Sequence, residues 1–220
     1  MERFRDRREA GRALADLLSD RADDASAIVL ALPRGGVPVA REVADRLHAP
    51  LDIYLVRKLG VPGHPELAMG AIATGGVRVL NRDVLDALDI TDDAVAAVAA
   101  DEQKELERRE REYRGGRPAP DLHDHTVILV DDGLATGATM RAAVAAVRAA
   151  EPAEIIVAVP VAAAETCDML RREADDVVCA RTPDPFRAVG LGYEQFEQVS
   201  DQEVRALLER ERTGEQEHAQ

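Results

Sequence analysis

The chain has 220 residues, 46% of them hydrophobic, which is enough for one medium-sized domain with a buried core. Its formal net charge of −14 argues against a nucleic-acid partner, because a phosphate backbone binds clustered positive charge. No apolar run approaches the roughly 18 residues of a membrane span, and the charged N-terminus lacks the apolar core of a secretion signal. We therefore expect a cytoplasmic protein with neither nucleic acid nor a membrane as partner.

Short apolar runs alternate with helical patterns along the chain. In chain order, they predict strands at 27–32, 51–56, 126–131, 154–161 and 176–180, and helices at 37–47, 139–150 and 163–174. Continuous Val, Ile and Leu strands joined by helices indicate a parallel sheet with helices on both faces. The sequence thus predicts an α/β fold, a single Rossmann-like domain over residues 1–212, whose ligands bind at the carboxyl ends of the strands.

Three segments depart from this alternation. Residues 70–81 place a Gly-Gly pair between two short β-like runs, which predicts a hairpin. Residues 91–113 form a charged helical pattern that starts at Thr91. We interpret it as a solvated helix with charge pairs, and a contact in a homodimer is the alternative. The polar end of the chain, 213–220, is expected to be a disordered tail.

The stretch 127–140, "VILVDDGLATGATM", contains the most informative residues. Asp131 and Asp132 directly follow an apolar strand and precede small residues and threonines. Backbone amides of such a loop, with the N-terminus of the next helix, attract an anion. No lysine follows the glycine as in a Walker A loop, so a monophosphate is favoured. Adjacent carboxylates repel phosphate but accept hydrogen bonds from vicinal hydroxyls, so the motif suits a phosphorylated ribose.

This stretch resembles the phosphoribosyl diphosphate signature of the type I phosphoribosyltransferases: a hydrophobic strand, two acidic residues, a spacer and Thr-Gly-x-Thr. The family transfers a 5-phosphoribosyl group from phosphoribosyl diphosphate to a nitrogenous base or related nucleophile and releases pyrophosphate. The resemblance therefore implies a Mg²⁺-dependent transferase of nucleotide metabolism that binds phosphoribosyl diphosphate and a small acceptor. It also implies a lid, here at about 58–76, and a C-terminal hood segment over residues 181–201.

The resemblance assigns roles to individual residues. Asp131 and Asp132 hold the ribose diol and, through its hydroxyls or water, the metal; together with Lys58 they are the candidate catalytic residues. The 5-phosphate is assigned to the loop formed by Gly133, Leu134, Ala135, Thr136, Gly137, Ala138 and Thr139. Pyrophosphate is assigned to Arg34, Gly35 and Gly36 after the first strand, where glycine lets backbone amides approach an anion, and to Arg57 and Lys58 after the second.

The segment 57–70 is expected to be a mobile loop that closes over the site, because glycines and prolines punctuate it. Orotate-type lids carry extra basic residues, whereas this segment offers His64 and Glu66. The identity of a lid catalyst therefore stays open. In the hood segment, Phe186, Tyr193 and Phe196 are available to stack on an acceptor ring, and a small satellite core is the alternative.

The acceptor stays open as well, since the overall pattern is similar to phosphoribosyltransferases of unsettled substrate. A regulator that binds phosphoribosyl diphosphate without transferring it is the main alternative, and a ribose-phosphate hydrolase is a third. Cys167 and Cys179 lack CxxC spacing and are expected to be thiols in the core or on a helix face, without a disulfide framework. His123 and His125 lie in a polar loop, where their spacing alone does not predict a metal site.

Overall fold

The computed structural model describes residues 2–217, with side chains described for residues 2–209. Its strands are β1 (Ala27–Ala31), β2 (Leu51–Ile53), β3 (Val56–Val61), β4 (His64–Ala73), β5 (Arg78–Leu80), β6 (Thr126–Val130), β7 (Glu154–Val161) and β8 (Asp176–Arg181). Its helices are α1 (Arg7–Leu17), α2 (Gly36–Leu47), α3 (Arg82–Ala87), α4 (Asp92–Arg114), α5 (Ala138–Arg148), α6 (Ala164–Leu170) and α7 (Asp201–Glu217). Over the described part of the chain, each helix is too short or too polar to cross a membrane.

The centre of the molecule is a parallel sheet with the strand order β2-β1-β6-β7-β8. β1 and β6 are buried along their whole length, as continuous apolar strands must be when helices cover both faces. Side chains of α1, α2, α4 and α7 pack on one face, and those of α5 and α6 on the other. The predicted α/β fold is confirmed. The register pairs Ala31 with Val130, so the segments that follow β1 and β6 leave the sheet side by side.

A second, antiparallel sheet contains β3, β4 and β5. The predicted strand at 51–56 is divided between the two sheets, since its first part is β2 and its last residue begins β3. The predicted hairpin at 70–81 is confirmed as the β4–β5 pair. Residues 57–70, which we expected to form an open loop, are instead the β3–β4 hairpin, whose tip at 62–67 is exposed.

The charged helix α4 begins where the sequence predicts, because the Thr91 hydroxyl accepts a hydrogen bond from an amide of its first turn. Gly115, in the left-handed conformation, ends it. One side of α4 packs on β3, β4 and α7 through the buried residues Val95, Ala99, Leu106 and Tyr113. Arg114 is also buried and bonds to the Asp52 carboxylate and the Ile53 carbonyl oxygen at the end of β2. The expectation of a solvated helix therefore holds for only one side of α4.

One sequence expectation is wrong. Cys167 and Cys179 form a disulfide that joins α6 to β8, whereas free thiols were expected. The chain returns from α6 directly into the neighbouring strand, and this brings two cysteines separated by 12 positions together.

The disordered tail expected at 213–220 stays a prediction. α7 continues to Glu217, and residues 218–220 lie outside the described residues.

Candidate functional site

The acidic pair and the glycine loop after β1 meet at the carboxyl edge of the main sheet. A Cβ atom on Gly35 would lie 2.0 Å from an Asp132 carboxylate oxygen. A Cβ on Gly36 would lie 2.7 Å from the Val130 carbonyl oxygen and 2.9 Å from the Asp131 Cα. A side chain at either position would therefore collide with the acidic pair. The fold brings together two motifs that the sequence analysis identified separately.

Burial dominates the electrostatics of the two carboxyl groups. It raises the pKa of Asp131 well above its ordinary value, and the neighbouring Asp132 charge raises it further. Burial also raises the pKa of Asp132, although Arg7 opposes this rise. The Asp131 carboxylate accepts a 2.8 Å hydrogen bond from the Asp132 amide. Among the described side chains, Asp132 thus has a cationic partner in Arg7, whereas we find no cation paired directly with Asp131.

Arg7, in the first turn of α1, is a residue of the site that the sequence analysis missed. Its Nε and Nη2 lie 2.9 Å and 2.8 Å from one Asp132 carboxylate oxygen. Its Nη1 donates to the Glu197 carbonyl oxygen at 2.8 Å. The guanidinium carbon lies 3.9 Å from the centre of the Phe196 ring, within cation–π range. A charged N-terminus alone gives no signal that one of its arginines reaches Asp132.

Residues 181–201 cross this edge of the sheet and contact the acidic pair. Tyr193 is buried beside Phe4, and its hydroxyl donates to the Asp132 carbonyl oxygen at 2.5 Å. Phe186, partly buried, packs against the same cluster. The satellite core that we considered as an alternative is therefore present. Phe196 is 37% exposed, but Tyr193 stacks on it with 5.0 Å between ring centres, and Arg7 covers its ring as well.

The loop from Gly133 to Thr139 leads into α5, as the anion-site interpretation requires. Gly137 has a φ of 72° and begins the helix, and the Thr136 and Thr139 side chains are exposed at its N-terminus. Leu134 departs from its expected role. Its amide donates to the Val161 carbonyl oxygen at 2.9 Å and its side chain is buried, so this amide is not free for a phosphate.

The loop 133–139 is also held by contacts with α6. The buried Thr166 hydroxyl donates to the Ala135 carbonyl oxygen at 2.7 Å. A Cβ on Gly137 would lie 2.7 Å from the Thr166 methyl group. Thr166 therefore fixes the loop by a hydrogen bond and by direct packing, and it precedes the disulfide residue Cys167 in the chain.

The basic residues assigned to pyrophosphate have different surroundings. Arg34 lies 3.8 Å from Asp201 at the start of α7, and Arg57 bonds to Glu102 on α4. Lys58 is exposed, and because side chains alternate along β3 it points to the face opposite Arg57. Among the described side chains, we find no hydrogen bond or ion pair to the Lys58 amine. The structure thus leaves Lys58 available, but it does not place it beside Arg34.

A small crevice of about 50 Å³ lies beside Arg57 and the segment that follows β1. Its lining residues come from the segment after β1, from β3, from α4 and from the start of α5, and include Pro33, Arg57, Arg109 and Thr139. Arg109 is a second residue that the sequence analysis missed, since the charge-rich pattern of α4 does not distinguish it from its neighbours.

Few of the described side chains at the carboxyl edge of the sheet are available to coordinate a metal ion. Within the described residues, no group of three or more His, Cys, Asp or Glu side chains is arranged to hold an ion. Mg²⁺ in nucleotide-type sites keeps several waters and takes one or two carboxylates together with substrate phosphates. Asp131 and Asp132 therefore fit a Mg²⁺ ion that arrives with a phosphorylated ligand, held through water or ligand hydroxyls.

A parallel sheet whose carboxyl edge carries an acidic pair, a glycine loop and a phosphate-type loop defines a protein of the type I phosphoribosyltransferase class. The chain belongs to this family: the profile of the Phosphoribosyl transferase domain matches residues 3–195. That match includes the glycine loop, the acidic pair and Arg7.

Related proteins support the same conclusion. A "putative phosphoribosyl transferase" of Mycobacterium tuberculosis, found in two strains, is 48% identical over 210 residues, or 96% of this chain. The chain spans 47% of that protein, about half its length. The sequence of this chain is 44% identical to that of TT1426 from Thermus thermophilus, whose crystal structure it matches with a TM-score of 0.83. The match covers 94% of this chain and 98% of TT1426.

Proposed function

We propose that the protein transfers a 5-phosphoribosyl group from phosphoribosyl diphosphate to a nitrogenous base or related nucleophile and releases pyrophosphate. The contact between the two motifs supports this most strongly, because the Gly35 backbone packs directly on the Asp132 carboxylate. A diphosphate on C1 of a ribose needs an anion-binding loop close to the carboxylates that hold the diol. The juxtaposition of these motifs meets that requirement.

Each part of the donor has a partner in this scheme. The loop amides that follow Leu134, together with the Thr136 and Thr139 hydroxyls, bind the 5-phosphate at the N-terminus of α5. Asp131 and Asp132 accept hydrogen bonds from the ribose diol. Arg7 favours the charged form of Asp132 and opposes the rise of its pKa by burial, and hydroxyl groups that donate to Asp131 would act in the same direction on the pKa of Asp131.

A Mg²⁺ ion bound together with the donor would supply positive charge to the pyrophosphate leaving group. Asp131 and Asp132 are the residues of this chain that would hold it, through ribose hydroxyls or water. Arg34, Gly35 and Gly36 receive the leaving pyrophosphate, with Arg57 and Lys58 as further donors of positive charge.

Departure of pyrophosphate leaves an oxocarbenium-like centre at C1, which water would capture, so the site has to close. The exposed tip of the β3–β4 hairpin, residues 62–67, is the element we propose as the lid. The acceptor approaches from the hood segment, residues 181–201, where Phe196 and Arg7 border Asp132. An acceptor ring that stacks on Phe196 has to displace the Arg7 guanidinium or Tyr193.

The decisive experiment measures pyrophosphate release from phosphoribosyl diphosphate and Mg²⁺ with a panel of purine, pyrimidine and other nitrogen acceptors. Calorimetry with the donor alone is run in parallel, and the doubly substituted Asp131→Asn, Asp132→Asn variant is the control. Acceptor-dependent release that the control lacks supports the transferase. Donor binding without release for every acceptor would favour the regulator, and no donor binding would remove the basis of both.

A further inference from the structure

The small crevice beside Arg57 has positively charged residues in its lining. Two of its residues are arginines, Arg57 from β3 and Arg109 from α4. They face Pro33, which directly precedes Arg34, and Thr139 at the start of α5. Guanidinium groups from two different elements therefore border a space that opens beside the glycine loop.

Arg34 is connected to α4 through the carboxylate of Asp201. The Tyr113 hydroxyl on α4 donates to the Asp201 carboxylate, and Arg34 is paired with that same carboxylate at 3.8 Å. Burial and this hydrogen bond raise the pKa of Tyr113 to about 12, while Arg109 and Arg34 both act to lower it. Arg109 and Arg34 thus both act on one phenol, and Arg34 directly follows Pro33, which lines the crevice together with Arg57 and Arg109.

Carboxylates of α4 pair with the two arginines of the crevice. Glu102 pairs with Arg57, and Glu105 pairs with Arg109 at 2.8 Å. Glu105 is also shared with the exposed Arg108, which pairs with Glu112 as well. Among the described side chains, Arg109 therefore has one shared counter-ion for its five N–H donors, and a ligand with several anionic oxygens provides further partners.

We infer that Arg109 binds the pyrophosphate end of the donor together with Arg57 and Arg34, so that α4 contributes a substrate-binding residue. This rests on the proposed function. The pyrophosphate end is favoured because Pro33 and the nearby Arg34 belong to the glycine loop, whereas Thr139 is the one residue of the 5-phosphate loop that lines the crevice. The carboxylates of α4 that pair with Arg57 and Arg109 compete with the anion for these guanidinium groups, so binding exchanges one set of ionic partners for another.

Arg109 and Arg108 make a matched pair for the test, because they are adjacent on α4 and both pair with Glu105. The full chain is titrated with Mg²⁺ and inorganic pyrophosphate, and separately with ribose 5-phosphate. Arg109→Ala should weaken pyrophosphate binding about tenfold, the loss of one charge-assisted contact, and leave ribose 5-phosphate unchanged. Arg108→Ala should leave both ligands unchanged. Arg109→Met, which keeps the alkyl chain, serves if the alanine variant folds poorly.

The outcomes separate this inference from the function on which it rests. If the unsubstituted chain binds pyrophosphate and Arg109→Met behaves like Arg108→Ala, Arg109 is an ordinary surface residue and the inference fails alone. Equal losses for pyrophosphate and ribose 5-phosphate would overturn the assignment to the pyrophosphate end. An unsubstituted chain that binds neither pyrophosphate nor phosphoribosyl diphosphate would overturn the proposed function and this inference together.

Discussion

Replacing Arg7 by alanine tests the electrostatics of the acidic pair. The Arg7 and Asp132 side chains are only 12% and 15% exposed, so the pair is closer to a buried than to a surface ion pair. Removing one partner of a buried pair costs about 3–5 kcal/mol, against about 0.2–1 kcal/mol at the surface. Asp132 avoids part of that cost by binding a proton. We therefore expect Arg7→Ala to lower the free energy of unfolding by about 2–3 kcal/mol at neutral pH.

For a chain of this size, 1 kcal/mol corresponds to about 2–4 °C in Tm, so the loss should appear as a decrease of roughly 5–10 °C in a thermal melt. Arg8→Ala is the matched control, since Arg8 is the exposed next residue of α1, and it should change Tm little.

The pH dependence has a definite sign. Burial raises the folded-state pKa of Asp132 above its unfolded value, and loss of Arg7 raises it further. An ionised Asp132 is then the destabilising form, so stability is lost as the pH rises through the folded-state pKa and recovered as it falls. The difference between Arg7→Ala and the unsubstituted chain should therefore shrink in acid. The same decrease of Tm in an Asp132→Asn background, or a difference independent of pH, would refute this reasoning.

Four further results are expected. Asp131→Asn with Asp132→Asn should weaken phosphoribosyl diphosphate binding about tenfold or more by calorimetry. The variant loses the Arg7 ion pair, but relief of the repulsion between the two carboxylates offsets part of that cost, so we expect the fold to be retained; a circular dichroism spectrum checks this, and unchanged affinity would contradict the ribose assignment. Lys58→Ala should weaken binding of pyrophosphate but not of ribose 5-phosphate, and equal losses would indicate a structural role. Amides of the exposed hairpin tip, 62–67, should gain protection from hydrogen exchange when donor and Mg²⁺ bind; full protection of this tip without ligand would argue against a lid. Thr166→Val should weaken ribose 5-phosphate binding more than pyrophosphate binding, because the loop loses its hydrogen bond to α6; equal losses would point to a general effect on the fold.

The sequence revealed the parts of the site that are contiguous in the chain. Asp131 and Asp132 could be predicted because the strand, the acidic pair and the small-residue loop follow one another without a gap. Gly35 and Gly36 could be proposed as an anion loop from the sequence, and the structure adds that their packing on the acidic pair requires glycine. Local patterns carry this information because the backbone conformation and the chemistry reside in the same few residues.

The residues that were missed reach the site only through packing. Arg7 contacts Asp132 although the two residues are far apart in the sequence, and Arg109 is one of many charged residues on α4. Leu134 was assigned a free amide, but the bond of that amide to the neighbouring β7 follows from how the loop leaves the sheet. The disulfide depends on where α6 ends relative to β8, which spacing alone does not reveal. Such relationships are set by tertiary structure, and no short window of sequence records them.

The ion pair between Arg7 and Asp132 has a practical consequence for anyone who prepares this protein. Because Arg7, in the first turn of α1, is paired with Asp132, a purification tag fused near this turn, or a truncation that removes it, alters the acidic pair itself. Phe4 and Arg5 are tied to residues 192–195 by backbone hydrogen bonds, so such a change also disturbs the segment that borders the acceptor side. A preparation that fails to bind phosphoribosyl diphosphate should therefore be remade with its tag at the other end before the chain is judged inactive.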